Sequence, residues 1–597
     1  MIYVGLIQFN DTPHKALELS SVLEMYTQAS PIVVKKDFLT LCCGKLSTMH
    51  DKDEVWENTS SVLIGRIFDK VQHRSFGKKE FSYLSSLNKE DALEKIWGKY
   101  VYIKGNKATS QVEVVIDSTG QLPFFYTPFP DGNVLFSSDI EMIFKALSQK
   151  PEINWTYLCS YLIYGNSCAI QTPFKNIYEL PPGCSLTMTK NERKTKPFWN
   201  PLSSYKTSVP QERDAVDVLE ATLKPWIEPY QNICVSLSGG LDSSSLVYCL
   251  KNIITKDQKL NALNFFHASV KCSNELLQAR KVCQETGIDL IEFETSHSLP
   301  FDSPSQKQPL KPNKPFPGLI SLRILEIMSD HLPSDGSCTF LSGHGSDHIF
   351  MCPPSKKSVA DYILEKGLQG SKEQLNNIAQ FYRDSLFPIF KENVKSLGSH
   401  FFSRRLGKRH PKNIQDETPD WIKQAVRQKT SSDFIHPVYE HLPPQVLPGK
   451  YQQIDTLYEG LASIHMEMNL LNPTSYPYLY EPVVEFALSF PTYALFDKGY
   501  DRYPLRKAVS DNFKTDTVWR RDKGETSGIL QLGVKKNSEY VLKLCLEGQF
   551  AQQGLIDKEG LYKTILLISN GENKYLWPFA HLASAELFLR YWEDKSL

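Results

Sequence analysis

The 597 residues contain no CxxC pair and no Cys/His spacing of the kind that encloses zinc, so the 12 cysteines predict neither a structural metal nor a disulfide framework. No apolar run approaches the ~18 residues of a spanning helix, and the opening MIYVGLIQFNDTPHK lacks a basic segment ahead of a long hydrophobic one. Membrane insertion is therefore not expected, and a cytoplasmic, reducing setting is. Neither sign of charge is in excess: Lys plus Arg and Asp plus Glu both number 67, so no global field draws the chain to nucleic acid. Any polyanion site must be local. There is no solenoid repeat and no low-complexity tract. With 41% apolar and 22% charged residues, the chain reads as folded and too long for one core.

Up to about residue 190, short apolar runs (MIYVGLIQF, SSVLIGRIF, KYVYIKG, QVEVVID, NVLFSS) separated by polar turns predict packed antiparallel sheets. Thr189 to Arg213 is polar and carries Pro197, Pro201 and Pro210, which marks a linker. The rhythm then changes. A helix near Ala215 to Ile227, the strand ICVSLS, a helix through SSLVYCLKNI, the strand LNALNFF, a helix at ELLQARKVCQET and the strand DLIEFE predict a parallel, doubly wound sheet. The remainder is mainly helical. Its basic stretch, with Arg404, Arg405, Lys408 and Arg409, is read as a solvated loop and assigned no site.

Ser238-Gly239-Gly240-Leu241-Asp242-Ser243-Ser244 lies directly between the strand ICVSL and the helix SSLVYCL. Glycines let backbone approach a phosphate, the helix N-terminus faces the anion, and serine hydroxyls add donors. The run lacks the lysine of the GxxxxGK[ST] loop, so it is a different anion cradle from that of kinases and GTPases. Nucleotides bind beyond the carboxyl ends of parallel strands, which places Phe265 and Phe266 near an adenine, unless they simply fill the core.

These residues resemble the pyrophosphate loop of ATP pyrophosphatases, which cleave ATP between its α and β phosphates. Downstream, Ser342-Gly343-His344-Gly345-Ser346-Asp347 resembles the second signature of asparagine synthetases and β-lactam synthetases. The likeness continues through PYLYEPVVEFALSFP, LRKAV and Arg520-Arg521-Asp522-Lys523-Gly524-Glu525, and N-terminally through IDSTGQLPFFY, LFSSDIEMIF and LPPG. It implies a glutamine-amidotransferase-like, Ntn-hydrolase-like α+β domain over residues 1–190 and a linker over 191–212. Residues 213–597 would form an α/β synthetase domain with a parallel sheet of the adenine-nucleotide α-hydrolase type and a helical C-terminal part.

Two departures bear on chemistry. Glutamine-dependent members carry a Cys nucleophile directly after the initiator Met, and here that position is Ile2, which cannot attack an amide. Cys42 and Cys43 do not replace it, because that chemistry also uses the α-amine of the N-terminal Cys. The domain is thus expected to lack glutaminase activity and to buttress the synthetase or bind a partner. The second departure is His344, where asparagine synthetases carry Glu and β-lactam synthetases Tyr, which suggests a bulkier amine. HGSDHIFMCPPSKKSVADYILEKG, TPDWIK, QQIDTLYEGLASI and KGYDRYPLRKA resemble lasso-peptide cyclases, which join a peptide's N-terminal amine to an Asp or Glu side chain.

The resemblance implies ATP and Mg2+ as cofactors, with nucleotide held by Ser236, Leu237, Ser238, Gly239, Gly240, Leu241, Asp242, Ser243, Ser244, Phe265, Gly343 and Lys523. Asp242 and Asp347 would hold the metal. Lys523 would neutralise pyrophosphate and later the tetrahedral oxyanion. His344 stands as general base or as a hydrogen-bonded packing histidine, the latter being the reading for His348. The expected partners are a precursor peptide, a leader-peptide-binding protein and a leader protease. An ammonia-dependent asparagine synthetase, a small-molecule lactam former and an inactive nucleotide- or peptide-binding scaffold are the rival readings.

Overall fold

The computed structural model describes residues 1–9, 19–27, 30–45, 52–87, 89–206, 214–267, 275–305, 311–331, 338–406, 418–431, 433–467, 474–521 and 527–593. Two six-stranded antiparallel sheets form the N-terminal part. The first centres on Ile2–Ile7, paired with Leu39–Gly44 on one side and Val134–Ser137 on the other. The second centres on Ile96–Asn106, between Ser61–Asp69 and Gln111–Ile116. Strand alternation sorts the residues. Met1, Tyr3, Ile7, Leu41 and Cys43 enter the core between the sheets, while Ile2, Val4, Leu6 and Cys42 face a second core shared with helices. That second core contains Tyr157 and Tyr161 together with Phe579, Leu582 and Phe588 from the Leu576–Glu593 helix, so the chain's last described helix packs behind its first strand.

The segment read as a linker begins with an edge strand, Arg193–Pro197, paired antiparallel with Cys184–Met188. Its lysines and terminal proline suit an edge, where they discourage further strand pairing.

Beyond it lies a parallel five-stranded sheet in the order Asp289–Glu294, Lys259–Phe266, Asn232–Ser236, Cys338–Leu341, Thr474–Ser475. Ile233, Val235, Ala262 and Leu341 pack on one face against the helices Asp214–Ile227, Leu241–Ile253 and Leu276–Thr286, in a core that also takes in Ile454, Leu457 and Leu461 of the Pro448–Glu467 helix. Cys234, Leu263 and Phe340 form a smaller cluster with Phe265 and Phe293.

The two halves meet through buried polar contacts. Lys314 is ion-paired with Glu179, both side chains nearly inaccessible. Arg66 donates to the Trp226 and Pro225 carbonyls at 3.2 and 3.1 Å. His436 contacts the Pro182 carbonyl at 2.8 Å and stacks on Tyr458 with ring centroids 4.1 Å apart. Such contacts hold the antiparallel sandwich against the parallel sheet. Among the described residues, no helix is long and apolar enough to cross a membrane.

Candidate functional site

The turn after Asn232–Ser236 is shaped by its glycines. Gly239 adopts φ +95°, and a Cβ there would lie 2.8 Å from Ala279 N and 2.9 Å from Glu275 O, so only glycine allows the loop to seat against the Leu276–Thr286 helix. Gly240 then caps the Leu241–Ile253 helix without a side-chain hydrogen bond, which leaves the helix's first N–H groups to face an incoming anion. Ser238 and Ser243 brace the turn: Ser243 Oγ accepts from Ser238 N at 3.2 Å, and Ser238 Oγ accepts from Gly240 N at 3.2 Å. Ser236 is half-buried at the strand end, and buried Leu237 receives the Asn264 side-chain amide at its carbonyl, 2.6 Å away. Ser244 is buried.

The second signature presses directly on the first. A Cβ on Gly343 would sit 2.8 Å from Ser243 N and 3.1 Å from Asp242 Cβ. Asp242 and Asp347 are brought to one point, since Arg502 Nη1 donates to Asp242 Oδ1 and Oδ2 at 2.8 and 2.7 Å and also to Asp347 Oδ1. The other edge of the guanidinium pairs with Asp501, through Nε at 3.0 Å and Nη2 at 2.9 Å. Burial opposes ionisation of Asp501, but the Arg502 and Arg506 guanidiniums outweigh it and hold its carboxyl down at about 2.

This geometry fits Mg2+ as far as the protein can supply it. Two hard carboxylates converge on a point already held by a cationic group, and among the described residues no third His, Cys, Asp or Glu completes a protein cage. A magnesium ion of this kind takes one or two carboxylates and completes its shell with substrate phosphate and water.

Arg502 also lines a cavity of about 370 Å³ beside Gly240 and Leu241, together with Arg383, Arg506, Arg520 and Arg521. Arg520 ties this wall to the loop by donating to Gly239 O at 3.1 Å and pairing with Glu275 at 3.0 Å. Arg521 lies over the Tyr500 ring, 4.7 Å from its centroid. Lys523 falls outside the described residues, two positions beyond Arg521. Of these arginines, Arg506 falls within LRKAV and Arg520 and Arg521 open the RRDKGE run, whereas Arg383 belongs to no motif. Arg502 was visible only as one letter of KGYDRYPLRKA, and nothing in its neighbourhood announces that its partners lie far back in the chain.

His344 is half-buried. Its Nε2 lies 2.7 Å from Ser463 Oγ, and Ser463 Oγ donates to Gly460 O at 2.6 Å. The serine has one hydrogen; with it on the carbonyl, the imidazole donates from Nε2 and keeps its lone pair on Nδ1. His344 also meets the rings of His348 and Tyr476 edge-on, at 5.0 and 5.6 Å. Phe265 stacks on Phe293 with centroids 5.1 Å apart, so one ring face is taken up within the sheet's own cluster. In the N-terminal sandwich Ile2 is 1% exposed within its strand, and burial pushes the Cys42 and Cys43 thiols up and away from thiolate.

A parallel sheet whose central strand turns through glycines into an uncapped helix, preceded by an antiparallel Ntn-type sandwich, defines a two-part α/β class of protein. The chain belongs to the asparagine synthase family, which it matches over residues 217–590, and it matches the glutamine amidotransferase domain over 84–199. It is 26% identical over 334 residues to the microcin J25-processing protein McjC of Escherichia coli, which covers 55% of this chain and 54% of that one. It is 22% identical to the amidase chyE of Penicillium rubens over 53% of this chain and 50% of that one. Asparagine synthetase [glutamine-hydrolyzing] 3 of Bacillus subtilis is 27% identical over 28% of each chain. The chain thus spans about half the length, or less, of the curated relatives it matches.

Proposed function

We propose that the protein is an ATP-dependent lasso-peptide cyclase. It adenylates an Asp or Glu side chain of a precursor peptide and closes an isopeptide bond with that peptide's N-terminal amine. The observation that carries this reading is the junction of the two signatures, in which the uncapped helix start at Gly240 and the Asp242–Asp347 pair adjoin one arginine-walled cavity. Membership of an ATP-dependent family and likeness to a protein named for microcin J25 processing support the nucleotide and the peptide respectively.

In the first step a peptide carboxylate oxygen attacks the α-phosphorus of ATP and pyrophosphate departs. The loop N–H groups, Arg502 and Arg520 stabilise the leaving charge. Mg2+ on Asp242 and Asp347 would add Lewis-acid neutralisation of the phosphates. In the second step the amine attacks the acyl carbon, its proton passes to His344 Nδ1, and AMP leaves. An α-amine near 7.7 to 8.0 and an imidazole near 6.5 differ by about 2 kcal/mol, against about 5 kcal/mol for a lysine nucleophile. Lys523 would hold the oxyanion of the tetrahedral intermediate.

Ile2 and the high thiol pKa values of Cys42 and Cys43 support a sandwich without glutaminase chemistry, acting as a buttress through its buried contacts. A leader-peptide-binding protein and a leader protease are the partners this reading entails. The amidotransferase match over 84–199 favours one second reading, an ammonia-using amide synthetase. The deciding experiment incubates the protein with ATP, Mg2+ and a candidate precursor peptide and follows pyrophosphate and peptide mass. A product lighter by one water supports the cyclase, and incorporation of ammonia supports the second reading.

A further inference from the structure

The position a divalent cation would take is held by the protein's own cation. Arg502 is 3% exposed, and its Nη1 contacts Asp242 and Asp347 together, while Nε and Nη2 remain on Asp501. Asp501 is itself fixed by Arg506 Nη2 at 2.8 Å. Arg502 also adopts φ +50° immediately before the Tyr503–Phe513 helix, a conformation a non-glycine residue keeps only when its surroundings impose it. The carboxylate pair is thus already neutralised in part by a buried, doubly anchored guanidinium.

We propose that Arg502 is a gate on the metal site: it closes Asp242 and Asp347 to a free divalent cation and yields them only to one that arrives on a polyphosphate. This rests on the reading of that pair as the metal carboxylates. A bare cation would have to expel Arg502 from three anionic contacts with nothing offered in return, and guanidinium and divalent cation repel at that range. A metal polyphosphate brings its own anionic oxygens. Nη1 can then transfer to a phosphate in the adjoining cavity while Nε and Nη2 stay on Asp501, so the arginine changes partner without losing its anchor. Asp501 is accordingly a positioning residue, and the exchange makes metal and nucleotide binding mutually dependent.

Mn2+ serves as the probe, with bound ion counted by electron paramagnetic resonance on the full chain, with and without α,β-methylene-ATP, which cannot release pyrophosphate. The wild type should bind Mn2+ at least tenfold more tightly with the analogue than the analogue-free protein does. Arg502→Gln should raise affinity for Mn2+ alone at least tenfold, and Arg502→Lys, which keeps the charge, should not. Equal Mn2+ binding by the wild type with and without the analogue would overturn the gate, and this needs no variant to fold. So would an Arg502→Gln protein of normal thermal midpoint that gains nothing. If Asp242→Asn and Asp347→Asn leave Mn2+ binding with the analogue intact, the metal pair itself is wrong and the gate falls with it; if they abolish it while Arg502→Gln gains nothing, only the gate fails.

Discussion

Ser463 Oγ meets His344 Nε2 at 2.7 Å and Gly460 O at 2.6 Å. With the serine hydroxyl donating to Gly460 O, the contact to Nε2 is a donation from the imidazole, and Nδ1 is left as the basic nitrogen. General-base contributions are typically about a hundredfold to ten-thousandfold. His344→Ala should therefore slow amide formation by that range while adenylate formation, read by pyrophosphate release, falls far less. Ser463→Ala should produce a smaller loss in the same step, because the ring remains but its tautomer is freed. Equal slowing of both steps by His344→Ala would assign the residue to structure or ATP binding.

The carboxylate pair makes a different prediction. Asp242→Ala and Asp347→Ala should each abolish pyrophosphate release in the presence of peptide, since either change removes half of the convergence on Arg502. Direct assay of pyrophosphate checks this, and turnover like the parent's in both variants would refute the assignment.

Glutamine should be irrelevant, because an aliphatic side chain fills the nucleophile position at Ile2. An N-acetylated precursor should still be adenylated, its side-chain carboxylate being untouched, yet give no cyclic product. Mass spectrometry with and without glutamine would decide. A water-loss product from the acetylated peptide contradicts the proposed nucleophile, and a product that gains ammonia only with glutamine restores the glutaminase.

A fourth prediction concerns pH and the seam between the two halves. His436 is fully buried and neutral: Nδ1 accepts from Val438 N at 3.0 Å while Nε2 donates to Pro182 O, and burial lowers its pKa to about 3. The folded value lies below the unfolded ~6.5, so the unfolded chain binds the proton first and stability is lost as pH falls below that value, levelling off only near the folded one. The slope attributable to this group is about 1.4 kcal/mol per pH unit, or about 2 kcal/mol between pH 7 and 5. Thermal midpoints of the wild type and His436→Gln should therefore converge as the pH is lowered. Parallel midpoint curves would mean that His436 does not carry the linkage.

The fold was readable where its signals are local. Period-two alternation sorts Met1 and Tyr3 from Ile2 and Val4 into opposite cores, and the run from the Asn232–Ser236 strand through the glycines to the Leu241–Ile253 helix emerges where the residues place it. Such features depend on neighbours a few positions away, and a sequence records those directly. One boundary was blurred for the same reason: the prolines and lysines of residues 191–212 signal a loop, but also suit the edge strand Arg193–Pro197 that pairing with Cys184–Met188 creates.

By itself, the sequence determined the glycine turn between strand and helix, the order of strands and helices, and the aliphatic residue at position 2, because each is a property of adjacent residues. Only the tertiary structure decided that Gly343 backs onto Ser243, that Ser463 meets His344, and that Arg502 stands between Asp242 and Asp347. These contacts join segments a hundred or more residues apart, and no spacing or periodicity encodes them. They arise when parallel strands carry both signatures to the same sheet edge and the helices behind them close the remaining side.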